Sequence, residues 1–293
     1  MARGIIAFLA LTLCSAGVWG QLNVVATTTN MAMLASTVGG ERLEVTTLAP
    51  PDRDAHHLEA RPSMMAALRR ADLVVAVGAE LEIGWLPPAI DGAGNPSIQP
   101  GRPGYFEAAN QVERIGHMET ADRAMGDVHP QGNPHIYMDP PRLARAGLAL
   151  AEAMAELDEA GADAYRANAR DFRDRVEARL PDWKQAAQDA PGVLLFHENA
   201  DYLLELLDVP LHGYLEPVPG VPPTGRHLSE LVRGLEGSQG VVIRNPWQSQ
   251  RATRLVREQL GWPVVVLPTN VPLNGSADDY LELIDQWVQA FVP

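Results

Sequence analysis

The chain has 293 residues, 23 Lys+Arg against 37 Asp+Glu, a formal charge of −14 and a hydrophobic share of 46%. That length suits about two domains, and the apolar share excludes global disorder. The acid excess argues against a binder of nucleic-acid backbones or anionic membrane surfaces, which need clustered Lys/Arg, and suits a protein that handles cations outside the cytoplasm.

Arg3 is the only charge among the first 20 residues, and an apolar run from Ile5 to Leu13 follows it. Small residues then lead to Gly20. This is the pattern of a secretory signal peptide, with cleavage expected near Gly20. Leu13 precedes Cys14, where a lipoprotein would carry a small residue. Cys14 is therefore expected to leave with the signal, so the mature chain has no lipid anchor, disulfide, thiolate site or cysteine nucleophile.

Residues 22–29 read as a strand. Asn30 can cap a helix to Val38, which Gly39-Gly40 ends. Leu43–Leu48 is a second strand, Ser63 can cap a helix over Met64–Arg70, and Leu73–Val77 is a third strand. This rhythm belongs to a parallel α/β layer. From Pro141 to about Leu180 the chain is helical, with a break at Gly161. Tyr165, Phe172, Val176 and Leu180 form one helical stripe there. A helix bridging two domains and a plain surface helix both fit that stripe. The α/β rhythm resumes with strands at Gly192–His197, Gly240–Ile243 and Pro263–Leu267. Helices are expected over Ala200–Leu207, Ser249–Leu260 and Asp278–Phe291. The pattern divides the chain into a signal peptide (1–20), an N-terminal α/β lobe (21–138), a helical region (139–188) and a C-terminal α/β lobe (189–293). No Gly-rich phosphate loop occurs.

Eight histidines are present. His56 follows a predicted strand, His135 precedes the helical middle, and His197 ends a predicted strand. Open α/β sheets bind ligands at the carboxyl ends of their strands. Three neutral imidazoles suit Zn²⁺, Mn²⁺ or other first-row ions. Their wide spacing forms no short metal motif, and scattered surface histidines are the plain alternative. His117 and His129 bracket the acidic residues Glu119, Asp122 and Asp127. That stretch reads as a solvated connector, with a weak ion-collecting loop as the alternative. His57, His212 and His227 read as structural or surface residues.

Four stretches in order carry a resemblance: Asp54-Ala55-His56 with Glu59 and Pro62-Ser63; Asn133-Pro134-His135-Ile136-Tyr137-Met138-Asp139-Pro140; Phe196-His197-Glu198-Asn199-Ala200; and Leu215-Glu216-Pro217 through His227-Leu228-Ser229-Glu230. Over residues 22–290 the chain resembles the metal-specific solute-binding proteins of bacterial zinc and manganese ABC importers, the ZnuA/TroA-like group. The resemblance implies an α/β protein with two Rossmann-like lobes, each with a parallel sheet, joined by a long rigid linker helix. It implies a periplasmic monomer that binds zinc, or alternatively manganese, between the lobes through His56, His135 and His197. An inner-membrane ABC permease is the implied partner, and a periplasmic metallochaperone is a further candidate.

Two departures matter. Thr269-Asn270 stands where the family carries a carboxylate ligand, and Asn245-Pro246 where it often has glutamate. The expected fourth ligand is Asp279, with Asp278, Asn270, Glu59, Glu198 or water as alternatives. Loss of a carboxylate tilts the choice towards zinc. A divergent member with weak or lost metal binding, acting in adhesion or as a structural protein, is the alternative. A zinc hydrolase is the enzyme rival, with Glu59 or Glu198 as base. No Gly-x-Ser-x-Gly elbow is present, and the expectation is no enzyme.

Overall fold

The computed structural model describes residues 21–117 and 128–292. The predicted signal peptide with Cys14, and Glu119, Asp122 and Asp127, lie outside the described residues. Among the described residues no helix is long and apolar enough to cross a membrane.

Two four-stranded sheets are built alike. The first contains β1 (Leu22–Ala26), β2 (Leu43–Thr47), β3 (Leu73–Ala76) and β4 (Tyr105–Glu107), in the order β2-β1-β3-β4. The second contains β5 (Val193–Leu195), β6 (Leu211–Tyr214), β7 (Val241–Arg244) and β8 (Val264–Val266), in the order β6-β5-β7-β8. Every neighbouring pair is parallel. Strands β3, β5 and β7 are buried along their length, as sheets covered on both faces require.

The helices form an inner and an outer layer. The inner layer holds α1 (Thr29–Gly39), α4 (Pro140–Leu157), α5 (Ala162–Ala187), α6 (Asp201–Leu207) and α9 (Ala277–Ala290). One apolar cluster runs through it from Val24 and Leu34 across Phe172 to Trp287, so both lobes share a core. The outer helices are α2 (Pro62–Leu68) and α3 (Leu86–Ala93) on the first sheet, and α7 (Gly225–Gly234) and α8 (Gln250–Leu260) on the second. Helix α5 is the long linker between the lobes. Its predicted stripe faces inward, with Tyr165, Phe172 and Val176 fully buried. It runs through Pro181 rather than stopping near Leu180, because its last turns are held against α9: Trp183 Nε1 donates to Asp285 Oδ1 at 2.6 Å, and Arg179 pairs with Asp285 at 2.5 Å.

Two expected caps differ. Helix α2 begins at Pro62 after Arg61, with no side-chain cap, so Ser63 lies inside its first turn instead of capping it. Thr28 caps α1, its hydroxyl accepting from the Met31 N–H at 3.3 Å. Asn30 instead ties the lobes together. Its Nδ2 donates to the Thr269 carbonyl at 2.9 Å and to Asn270 Oδ1 at 3.2 Å, and its Oδ1 accepts from the Val271 N–H at 3.0 Å. Thr29 and Tyr280 add cross-lobe bonds to the Val271 and Tyr137 carbonyls, each 2.8 Å long. At the start of α9, Ser276 and Asp279 form a reciprocal capping box.

Candidate metal centre

The carboxyl ends of the two sheets face each other across a pocket lined by His56, His135 and Tyr137 from one lobe and by His197, Asn245, Thr269 and Asn270 from the other. His56 sits in a 3-10 turn (Ala55–His57) on the connection leaving β2, and Asp54 caps that turn. His135 lies just before the 3-10 turn that leads into α4, and His197 stands two residues beyond β5. The structure brings these three predicted imidazoles together. Their ring centroids are 5.2, 5.5 and 5.4 Å apart, a nearly equilateral triangle. One ligating atom from each lies within 4.8 Å of the others.

The rings are oriented from behind. Nδ1 of His56 lies 2.7 Å from Asp54 Oδ1, Nδ1 of His135 2.7 Å from Asn133 Oδ1, and Nδ1 of His197 2.9 Å from Glu216 Oε2. Each partner oxygen is an acceptor, so each Nδ1 carries the proton and each Nε2 keeps its lone pair. Nε2 of His197 is buried with no hydrogen-bond partner, and so is Oδ1 of Asn245 in the same pocket. Orphaned acceptors of this kind are what a cation would satisfy.

Electrostatics follow the same plan. Burial pushes His135 well below the usual histidine value, helped by His56, His197 and His129. Burial acts on His197 in the same direction, but the hydrogen bond and charge of Glu216 outweigh it and leave its proton affinity raised. Asp54 resists the upward pull of burial because it accepts hydrogen bonds from His56, and it stays ionised far into acid.

Of the predicted fourth-ligand residues, Asp279, Asp278, Glu59 and Glu198 do not line this pocket. Asp279 is a correction: its exposed carboxylate accepts 2.6 Å bonds from Ser276 N and Oγ in the capping box and does not line the pocket. A side chain that serves the helix start cannot also face the cleft. Asp278 is exposed and paired with Arg175. Glu59 is exposed and outside the pocket. Glu198 lines a separate cavity of about 420 Å³ with Asp201 and His129, and burial pushes its pKa up to about 7. Asn270 does line the pocket, held by Asn30.

Sequence reasoning placed His129 in a solvated connector. The structure buries it to 5% exposure and sets its Nε2 3.1 Å from Nε2 of His56. Burial, with His56 and His197 nearby, lowers its pKa to about 3. A lone His in a polar loop, with no flanking motif, gave no signal of this. His117 and His57 are exposed, while His212 and His227 contact backbone carbonyls away from the pocket.

Comparison with known proteins agrees with this architecture. The family described as "ZnuA: Zinc-uptake complex component A periplasmic" matches residues 24–293. The high-affinity zinc uptake system protein ZnuA of Yersinia pestis is 25% identical over 228 residues, covering 73% of this chain and 71% of that protein. A crystal structure of ZnuA superposes with a TM-score of 0.76 at 21% identity, covering 92% of this chain and 99% of that one. FpvC of Pseudomonas aeruginosa in complex with Mn²⁺ superposes with a TM-score of 0.73 at 21% identity, covering 92% and 96%. Proteins of this type bind and hand over a solute without transforming it. On the family match over residues 24–293, the chain belongs to the periplasmic zinc-uptake component A family, and is a periplasmic metal-binding solute-binding protein with a histidine-based site.

Proposed function

We propose that the protein captures Zn²⁺ in the periplasm, through His56, His135 and His197, and delivers it to an inner-membrane ABC permease. The observation that carries this reading is the set of three Nε2 lone pairs turned into one pocket, each fixed by an acceptor behind Nδ1. Such a shell is rich in nitrogen and has no carboxylate of its own, and it suits zinc better than manganese, which favours oxygen donors. Asp54 and Glu216 supply negative charge from behind the rings, so the site can hold a dication without a carboxylate ligand. The fold by itself does not choose the ion, since solved neighbours of similar shape hold Mn²⁺ or Ni²⁺.

Capture fits the surroundings. The pocket lies at the seam between lobes that are tied by Asn30, Thr29, Tyr280 and the linker α5. Release therefore comes from local shifts of the loops carrying His56 and His197 rather than from wide hinge opening. Purification without added metal, elemental analysis, and competition between Zn²⁺ and Mn²⁺ test the function. Bound zinc that equimolar manganese fails to displace supports it, and displacement by manganese overturns the choice of ion.

A further inference from the structure

We propose that the cavity between α8 and the edge strand β8 binds a small, multiply charged oxyanion, a phosphate or a polycarboxylate, through Arg244, Arg254 and Arg257. This site is separate from the metal centre, and its test does not depend on the metal-capture reading.

The argument starts from a buried charge. Arg244 ends β7 and is 7% exposed. A guanidinium stays protonated at any ordinary pH, and arginine is almost never buried this deeply without a partner for its charge. Among the described residues no carboxylate pairs with it. Its Nη1 donates instead to neutral acceptors, the carbonyls of Asn245 at 3.0 Å and Gln248 at 3.1 Å. Its Nε is buried with no hydrogen-bond partner. An N–H of a charged group left bare in the interior is costly, and an oxyanion that accepts from it removes the cost.

The fold gathers more positive charge at the same place. Arg244 lies opposite Val266 in the β7–β8 pairing, as Val242 lies opposite Val264. Residues two apart on a strand share a face, and Val242 and Val264 pack with Ala252 and Val256 of α8. Arg244 therefore stands on the face of the sheet that α8 covers. On α8, Gln250, Thr253, Arg254 and Arg257 follow the i, i+3, i+4, i+7 spacing of one helical stripe. That stripe, Arg244 and the valines of β8 line a cavity of about 250 Å³ with no acidic residue in its wall. Arg254 and Arg257 are exposed, and neither has an ion pair among the described residues. In an acidic chain this is a local reversal of charge, and it attracts anions rather than the cations that suit the metal centre.

The chemistry narrows the ligand. Guanidinium groups match the paired oxygens of carboxylates and phosphates, and donate to two at once. Three positive charges favour an ion with two or more negative charges over chloride. Drug-sized ligands fill pockets of about 300–1,000 Å³, so the smaller volume here suits a small ion. Strand β8 is the last in its sheet, so the cavity lies at an open edge that such an ion can reach. Arg244 also braces the turn from Asn245 to Gln248, which lines the metal pocket on its other side. Substituting Arg244 would disturb both places, so the test turns on Arg254 and Arg257.

Isothermal titration of inorganic phosphate, and separately of citrate, into the metal-free protein at an ionic strength fixed by NaCl reads the site. Saturable binding of one equivalent of either ion is expected, phosphate alone marking a phosphoryl site and citrate alone a carboxylate site. Arg254→Gln combined with Arg257→Gln should weaken it by about tenfold or more, with the melting temperature in NaCl unchanged. Arg251→Gln removes an exposed charge from the same helix outside the cavity and should leave the affinity unchanged. No saturable binding of either ion, or an affinity that survives the double substitution, overturns the proposal. Equal weakening by Arg251→Gln also overturns it, because the attraction is then diffuse. Each of these results leaves zinc capture intact.

Discussion

Removing the carboxylate behind His56 separates the orientation of a ligand from its presence. In Asp54→Ala, Nδ1 of His56 loses its 2.7 Å acceptor and the His56 N–H loses its 3.0 Å acceptor. Nothing then fixes the proton on Nδ1, and the tautomer with Nε2–H, which cannot ligate, becomes accessible. The negative charge nearest that imidazole also disappears. Removal of such a partner behind a metal-bound histidine costs about 10–100-fold in affinity, or about 1.4–2.7 kcal/mol. Asp54 is 34% exposed, so the fold itself depends on it only through the cap of a short turn, at about 0.5–2 kcal/mol. Asp54→Asn keeps an acceptor oxygen but loses the charge, and is expected to fall between the two. The assay is competition against a chromophoric zinc chelator at pH 7.5, with metal-free thermal melts in parallel. Affinity within twofold of the unsubstituted protein in Asp54→Ala, with His56→Ala abolishing binding, would refute the claim that Asp54 sets the tautomer.

Further outcomes follow from the same geometry. The raised His197 is the first imidazole to compete with metal for a proton: its charged form is favoured until pH rises through its folded value, so affinity should begin to fall above about pH 6.5 on acidification, while the depressed His129 and His135 stay neutral. By the same linkage, the His197–Glu216 pair stabilises the metal-free protein fully below about pH 6.5 and ceases to do so as pH rises through that folded value. Glu216→Gln keeps an acceptor for Nδ1 but removes the charge, so the acid limb of zinc binding should move to lower pH in isothermal titrations; an unmoved limb contradicts the assignment to His197. Asp279→Ala should lower the melting temperature through loss of the α9 capping box and leave the zinc Kd unchanged, and a weakened Kd would return Asp279 to the site. Asn270→Asp should tighten binding and narrow the preference for zinc over manganese, because it adds a charged oxygen to the pocket wall where Asn30 already holds the side chain; competition titration reads both effects.

What was legible in the sequence was local. The buried strands are short apolar runs between turn residues, and β3, β5 and β7 were readable as such. The three imidazoles were readable as residues at strand ends, together with the family motifs around them. What was not legible depends on contacts far apart in the chain. Asn30 looks like a cap because it precedes a helical pattern, and only the folded chain shows it bonding across the lobes to residues 269–271. The charge of Asp279 suggests a ligand, yet Ser276 three residues earlier is the capping-box signature that assigns it to the helix start. Strand β6 was hidden because its residues are only partly buried and carry His212 and Gly213. Helix α3 contains two prolines in its first turn and a glycine near its end, which reads as a loop. His129 had no local pattern at all, since its meaning comes from His56, 73 residues away.

Metal capture requires that lone pairs on Nε2 of His56, His135 and His197 converge on a single ion. Anomalous diffraction at the zinc edge from crystals of the loaded protein measures this directly. The predicted result is one strong peak about 2.0–2.1 Å from all three Nε2 atoms, with each Nδ1 still bonded to Asp54, Asn133 and Glu216. A peak bonded through Nδ1, or placed beyond the reach of any one of these rings, would contradict it.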